Sequence, residues 1–265
     1  METKFWYSIS MPKAEKKFEE PKNVLRPTFT LFDIQMGVGD KEFKKGKKLF
    51  DGDKVNYLKS DFRGFNAIVS GTHDYVVFVS ANDFDRGNCN CYVGQKDILC
   101  KHMIALAIAS VFKYRPKDTD IIQIPLEQAV CSGEVRDITK EELVSIKKEI
   151  SSALKCIKNY GGSSKTWFAY QDSLLKGKRL LIYALSNLPV CEKSADVCIN
   201  LIIKLDDKLA NSGIDDSDGT VGDLVENIME LLSLFKDFNP DLKTYIVDNF
   251  PKETNFGWEK ELFLV

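Results

Sequence analysis

Apolar residues recur along this chain with two different periods, and the change of period predicts two kinds of structure. In the first half, Thr28 to Met36, Asn66 to Ser70 and Tyr75 to Ser80 are rich in the β-branched and aromatic residues that strands favour. The last two flank Gly71-Thr72-His73-Asp74, which predicts a hairpin. Met103 to Ala109 then runs on through Val111 and Phe112 without a breaker before Pro116, as a buried helix would. The local order is strand, strand, helix.

From residue 137 the spacing is helical. Thr139 and Glu142 form a capping-box pair, and Leu143, Ile146, Ile150, Leu154 and Ile157 line one face up to Gly161-Gly162. A second helix is predicted from about Ser164 to Asn187 and a third from about Glu192 to Leu209. A fourth runs from Asp218 to Phe235, and Asn239-Pro240 opens a fifth. Successive helices with short connections pack as an antiparallel array or an α-solenoid, although no repeat of fixed length is present. The fold class is therefore α+β: a domain over residues 1–127 holding a small strand-strand-helix module, then an all-α array over residues 128–265.

Composition narrows the class. The chain has 265 residues, 44% of them hydrophobic, with 37 Lys+Arg against 39 Asp+Glu, which is ample core material and excludes a disordered tail or a fibre. The net charge of −2 divides unevenly, +3 over residues 1–127 and −5 over 128–265, and argues against a protein that coats DNA along its whole surface. The first thirty residues carry charges throughout and no apolar run of signal-peptide length, and no segment reaches the length of a membrane span. A cytoplasmic protein is expected, with Cys131, Cys156, Cys191 and Cys198 as reduced, buried thiols in helical segments.

The other three of the seven cysteines fall with one of the two histidines inside residues 89–102, Cys-Asn-Cys-Tyr-Val-Gly-Gln-Lys-Asp-Ile-Leu-Cys-Lys-His. They form two close pairs, Cys89/Cys91 and Cys100/His102. Zn²⁺ prefers four tetrahedral donors, and three thiolates with one imidazole are a common structural set. Side chains two apart on an extended segment point the same way, so Cys89 and Cys91 can grip one ion. The loop through Gly94 would return Cys100 and His102 where the helix begins. Buried thiols beside a chance histidine, or vicinal thiols doing redox work, are the alternatives; redox motifs usually space their cysteines as Cys-x-x-Cys and need no histidine here. A closed set of four ligands leaves no open position for catalytic zinc, and no acid or base is marked beside it.

This arrangement, C-x-C-x8-C-x-H after a hydrophobic hairpin and before an apolar helix, resembles the SWIM zinc finger over about residues 66–112. Upstream, Phe43 to Phe50 with Gly52 and Val55 is similar to the stretch preceding the finger in bacterial members. Trp167 to Gln171 and Asp215 to Gly222 are like the helical C-terminal regions of some of them. The resemblance implies Cys89, Cys91, Cys100 and His102 as ligands of structural zinc, in a binding module that contacts DNA or other proteins.

Two kinds of partner follow. A non-enzymatic protein-interaction or adaptor role is expected, with the aromatic cluster Trp167, Phe168 and Tyr170 as a candidate contact. The alternative is DNA or RNA bound through the finger and the segment from Lys41 to Lys48, with Lys44, Lys45, Lys47, Lys48 and Lys101 touching phosphates. Asp40, Glu42, Asp51 and Asp53 dilute that field and favour an ordinary solvated helix face. Gly37-Val38-Gly39 and Gly161 to Thr166 fail as nucleotide-binding loops, and the acids of 215–218 lack the ligands of a calcium loop and read as a helix cap. His73 reads as a turn residue. No small-molecule substrate is evident, and no catalytic residue is nominated.

Overall fold

The computed structural model describes residues 25–163 and 166–260. The first half opens with helix α1 (Leu31–Asp51), followed by strands β1 (Val55–Ser60), β2 (Gly64–Ser70), β3 (Asp74–Ser80) and β4 (Gly87–Cys89), and then helix α2 (Lys101–Tyr114). The strands form one antiparallel sheet in sequence order.

Of the strand expected at Thr28 to Met36, Leu31 to Met36 are instead the first part of α1, and Thr28 to Thr30 lead into it. Its start is a capping box: the Thr30 N–H donates to Asp33 Oδ2 at 2.9 Å, and the Asp33 N–H donates back to Thr30 Oγ1 at 3.2 Å. Leu31, Ile34 and Gln35 are buried at helical spacing, so tertiary packing overrides the β-propensity of the phenylalanines and threonines. Gly39 breaks the helix at φ +75°, a conformation that favours glycine. Arg179 Nη1 donates to the carbonyls of Met36 and Gly37 at 3.1 and 3.0 Å beside that break.

The hairpin is where the sequence places it. β2 and β3 pair from Gly64↔Ser80 to Ser70↔Asp74 around residues 71–73. Phe65, Ala67 and Val69 alternate inward on β2, as do Val77 and Val79 on β3. β1 and the three-residue β4 extend the sheet on either side. β1 carries a bulge, and Tyr57 takes φ +57° within it. α2 is buried continuously from His102 to Val111, because the inner face of the sheet covers one side and α1 the other. Fully burying a Leu, Ile or Val stabilises by roughly 1.5–3 kcal/mol, so this layered slab has a core of its own.

The second half contains α3 (Lys140–Ala153), α4 (Trp167–Ser186), α5 (Glu192–Asn211), α6 (Thr220–Phe238) and α7 (Leu242–Asn249). α3 packs on α4 and α5 on α6, while α4 also meets α6 and α5 meets α7, so the hairpins stack in two layers. Two boundaries differ from expectation. α3 ends at Ala153, and residues 155–157 tighten into i→i−3 hydrogen bonds that still bury Ile157. α7 begins at Leu242 because Asn239 to Asp241 form a turn. Ser164 and Lys165, the expected start of α4, lie outside the described residues.

Buried apolar residues fall into two clusters, one between Phe29 and Val111 and the other between Ala129 and Phe250. The chain from residue 115 to 138 crosses between them without helix or strand. Gln35 exchanges hydrogen bonds with the backbone of Ile122, and Ser186 Oγ accepts the Val130 N–H at 3.0 Å. Phe32 on α1 packs edge-on against Tyr183 on α4, 5.3 Å between ring centres. Among the described residues no helix is long and apolar enough to cross a membrane.

Candidate metal centre

Three elements deliver the four donors. β4 pairs Cys89 with Val77, and Cys91 follows two residues on, beyond the strand end. A short 3-10 turn (Gly94–Lys96) reverses the chain and ends on Asp97 in the left-handed region, φ +56°. Cys100 then occupies the N-cap of α2, and His102 lies in its first turn. Gly94 is required here: a Cβ at this position would lie 2.4 Å from the Cys89 carbonyl oxygen, so only glycine lets the loop fold back on the strand end.

Cys89, Cys91, Cys100 and His102 are all buried, and their donor atoms lie within 4.8 Å of one another. His102 Nδ1 is 3.8 Å from the Sγ of both Cys89 and Cys100. Donors on a tetrahedral zinc ion with bonds of about 2.0–2.3 Å stand about 3.6–3.8 Å apart, so these spacings are those of a metal site. Nδ1 is the ring nitrogen that faces the sulfurs. Tyr75 from β3 stacks on the imidazole at 4.2 Å and holds its plane. The Gly94 N–H donates to Cys91 Sγ at 3.3 Å, favouring the thiolate.

Without a cation this cluster is electrostatically costly. Burial pushes the Cys89 thiol well above its ordinary range, and the neighbouring Cys100 adds to the shift. Burial also raises Cys100, against the pull of the Met103 and His102 amides at the start of α2. For Cys91, burial is outweighed by hydrogen bonds from the Gly94 amide and the other two thiols, and its pKa is lowered. Burial, then Lys101, lowers His102, so the ring is neutral and available as a ligand at neutral pH. A divalent cation removes the repulsion among three buried thiolates and fills the space between the donors. The four side chains make a Cys₃His structural zinc site.

The other candidate residues do not converge on it. Lys45 is paired with Glu42 at 2.5 Å and Lys47 with Asp51 at 2.6 Å along α1. Lys44, Lys48 and Lys101 are exposed and form no ion pair among the described residues. The aromatic cluster divides. Tyr170 is buried and donates to the Lys158 carbonyl, Trp167 Nε1 donates to Asp215 Oδ2 at 2.9 Å, and Phe168 alone projects, 74% exposed. Asp216 accepts the N–H groups of Val221 and Gly222 at 2.8 and 2.9 Å, so the acidic loop caps α6. His73 lies in the hairpin connector. Of the four thiols expected to be buried in helical segments outside the finger, Cys191 and Cys198 are buried, whereas Cys131, in the irregular 115–138 crossing, and Cys156, in the turn after α3, are partly exposed.

Sequence reasoning missed the finger's exposed apolar side chains. Val76 on β3 is 62% exposed, and in the ligand loop Tyr92 and Ile98 are 74% and 54% exposed, with Val93 also exposed. Val76 belongs to an unbroken apolar run in which only the strand register separates outward from inward positions.

Residues 75–110 match the family model of the SWIM zinc finger, from β3 through the ligand loop to most of α2. No curated protein and no solved structure matches the chain.

Proposed function

We propose that this chain, built around a SWIM zinc finger, is a non-enzymatic protein-interaction module, with zinc fixing the shape of a docking surface. Bound at Cys89, Cys91, Cys100 and His102, zinc would supply a cross-link between the end of β4, the ligand loop and the start of α2. A set of four protein donors leaves no open coordination position, which supports a structural role over a catalytic one. The observation that carries the reading is the apolar character of the finger surface at Val76, Tyr92, Val93 and Ile98. Exposed aromatic and aliphatic side chains on a rigid frame suit a protein partner.

The test is affinity capture with the zinc-loaded chain and with a Tyr92→Glu/Ile98→Glu variant. A set of proteins retained by the first and lost from the second is expected; identical sets would overturn the reading. Nucleic acid remains the second reading because Lys44, Lys48 and Lys101 are exposed and free of ion pairs among the described residues. Binding to a 30-nucleotide DNA or RNA whose affinity falls by about tenfold or more between 50 and 200 mM salt would favour it.

A further inference from the structure

Between α3 and α5 runs a groove of about 440 Å³. One face of each helix lines it: Leu143, Lys147 and Ile150 from α3, and Lys193, Val197, Leu201 and Lys204 from α5. These positions repeat at three-, four- and seven-residue intervals, which puts the apolar ones along one face of each helix, with Ser151, Asp196 and Asn200 between the lysines. The floor is the half-buried Leu143, with Ile150, Val197 and Leu201 buried at its base. Lys147, Lys193 and Lys204 are exposed along its length. From Lys193 to Lys204 the groove extends about 16 Å along α5, or three helical turns.

The charge of the groove is opposite to that of its surroundings. Residues 128–265 carry a net −5, yet three lysines gather here. None of them forms an ion pair among the described residues. The only acid lining the groove, Asp196, already accepts a hydrogen bond from the Tyr245 hydroxyl at 3.0 Å. Three uncompensated cations above an aliphatic floor complement a ligand with carboxylates flanking an apolar stripe.

We propose that this groove receives an acidic amphipathic helix from a partner protein. Leu, Ile or Met side chains at i, i+3 or i+4, and i+7 would contact the floor, and Asp or Glu on the flanking positions would meet Lys147, Lys193 and Lys204. The inference deepens the protein-interaction reading but uses a surface away from the finger, so the chain would bridge two partners.

The test is selection from a displayed library of random 20-residue peptides on the zinc-loaded full chain. It is run in parallel on a Lys147→Glu/Lys193→Glu/Lys204→Glu variant and on the corresponding Lys→Gln variant, with helicity and zinc content confirming that each is folded. The wild type is expected to enrich acidic amphipathic sequences. Their affinity, read by fluorescence anisotropy, should fall by about tenfold or more in the Glu variant and less in the Gln variant. No enrichment, enrichment of basic or uncharged peptides, or equal binding to all three proteins would overturn the proposal. Concentration-dependent self-association abolished by the Glu variant would also overturn it, by making a second copy the occupant. The Tyr92→Glu/Ile98→Glu variant should bind the peptides normally, so failure of the finger's role is distinguishable from failure of this one.

Discussion

Residues 89–100 and the helix α5 show two ways of holding a polypeptide in place. In the first segment the buried side chains are Cys89, Cys91 and Cys100, with Gly94 admitted by its lack of a side chain, while Tyr92, Val93 and Ile98 face solvent. In α5 the buried set includes Ala195, Val197, Cys198, Ile199, Leu201, Ile202 and Leu205, all contacting the helical core. A metal centre releases a short segment from the need to bury apolar side chains, so those side chains are free to project. A helix that relies on packing must turn its apolar face inward and leaves lysines outside.

The largest expected effect breaks the first region alone. Chelation of the metal, or Cys89→Ala, should free residues 87–100 and the first turn of α2, read as loss of amide-exchange protection there. Protection in α4 to α6 should persist. Zinc binding in finger peptides is worth about 10–16 kcal/mol of apparent free energy, so the loop has no other source of stability on that scale. The site should also empty as pH falls, because its donors bind metal only when deprotonated. The sheet and α2 should retain part of their protection, since α1 covers them with an apolar core.

Next in size is the converse experiment. Phe235→Ala empties a fully buried position in the helical core and should cost about 3–5 kcal/mol with no change in zinc content, read by thermal denaturation. Asp206→Ala should cost about 2–3 kcal/mol, because the Asp206 carboxylate accepts the Asn255 and Phe256 N–H groups, the Asn255 amide and Trp258 Nε1. Exchange at residues 254–258 should rise first.

The link between the regions is a smaller target. Arg179→Met leaves the Met36 and Gly37 carbonyls without their partner at the Gly39 break and should cost about 1–3 kcal/mol. Unfolding of the two halves, followed by tryptophan emission and by zinc release, should then become less coincident.

The smallest effect is at Asp85, whose carboxyl is pushed up to about 6 by burial, then by hydrogen bonding and repulsion from Asp83. The folded state holds this proton more tightly than the unfolded one, so stability from this group falls as pH rises from about 4 to 6. Asp85→Asn should therefore be slightly stabilising at pH 7 and neutral at pH 4, measured as the difference in denaturation midpoint.

What the sequence made legible follows from the same contrast. The donor set could be read because metal ligation imposes residue type and spacing together at Cys89, Cys91, Cys100 and His102. The hairpin was legible through its β-branched and aromatic runs on either side of Gly71 to Asp74, and the five helices of the second half through helical period. The first part of α1 was not, because Phe29, Phe32 and Thr30 carry β-propensity that the Thr30–Asp33 cap and the burial of Leu31 and Ile34 override. β4 is three residues long and has no pattern of its own. The α3–α5 groove joins residues some fifty positions apart, so only packing reveals that Lys147 and Lys204 line one surface.

Cys89, Cys91, Cys100 and His102 are expected to hold one structural zinc ion. Native mass spectrometry of the reduced chain, wild type beside Cys100→Ala, tests it most directly. The expected result is one zinc per wild-type chain and none in the variant, with the mass shift of the wild type removed by chelator. A folded wild type without zinc, or a variant that keeps stoichiometric zinc, would contradict it.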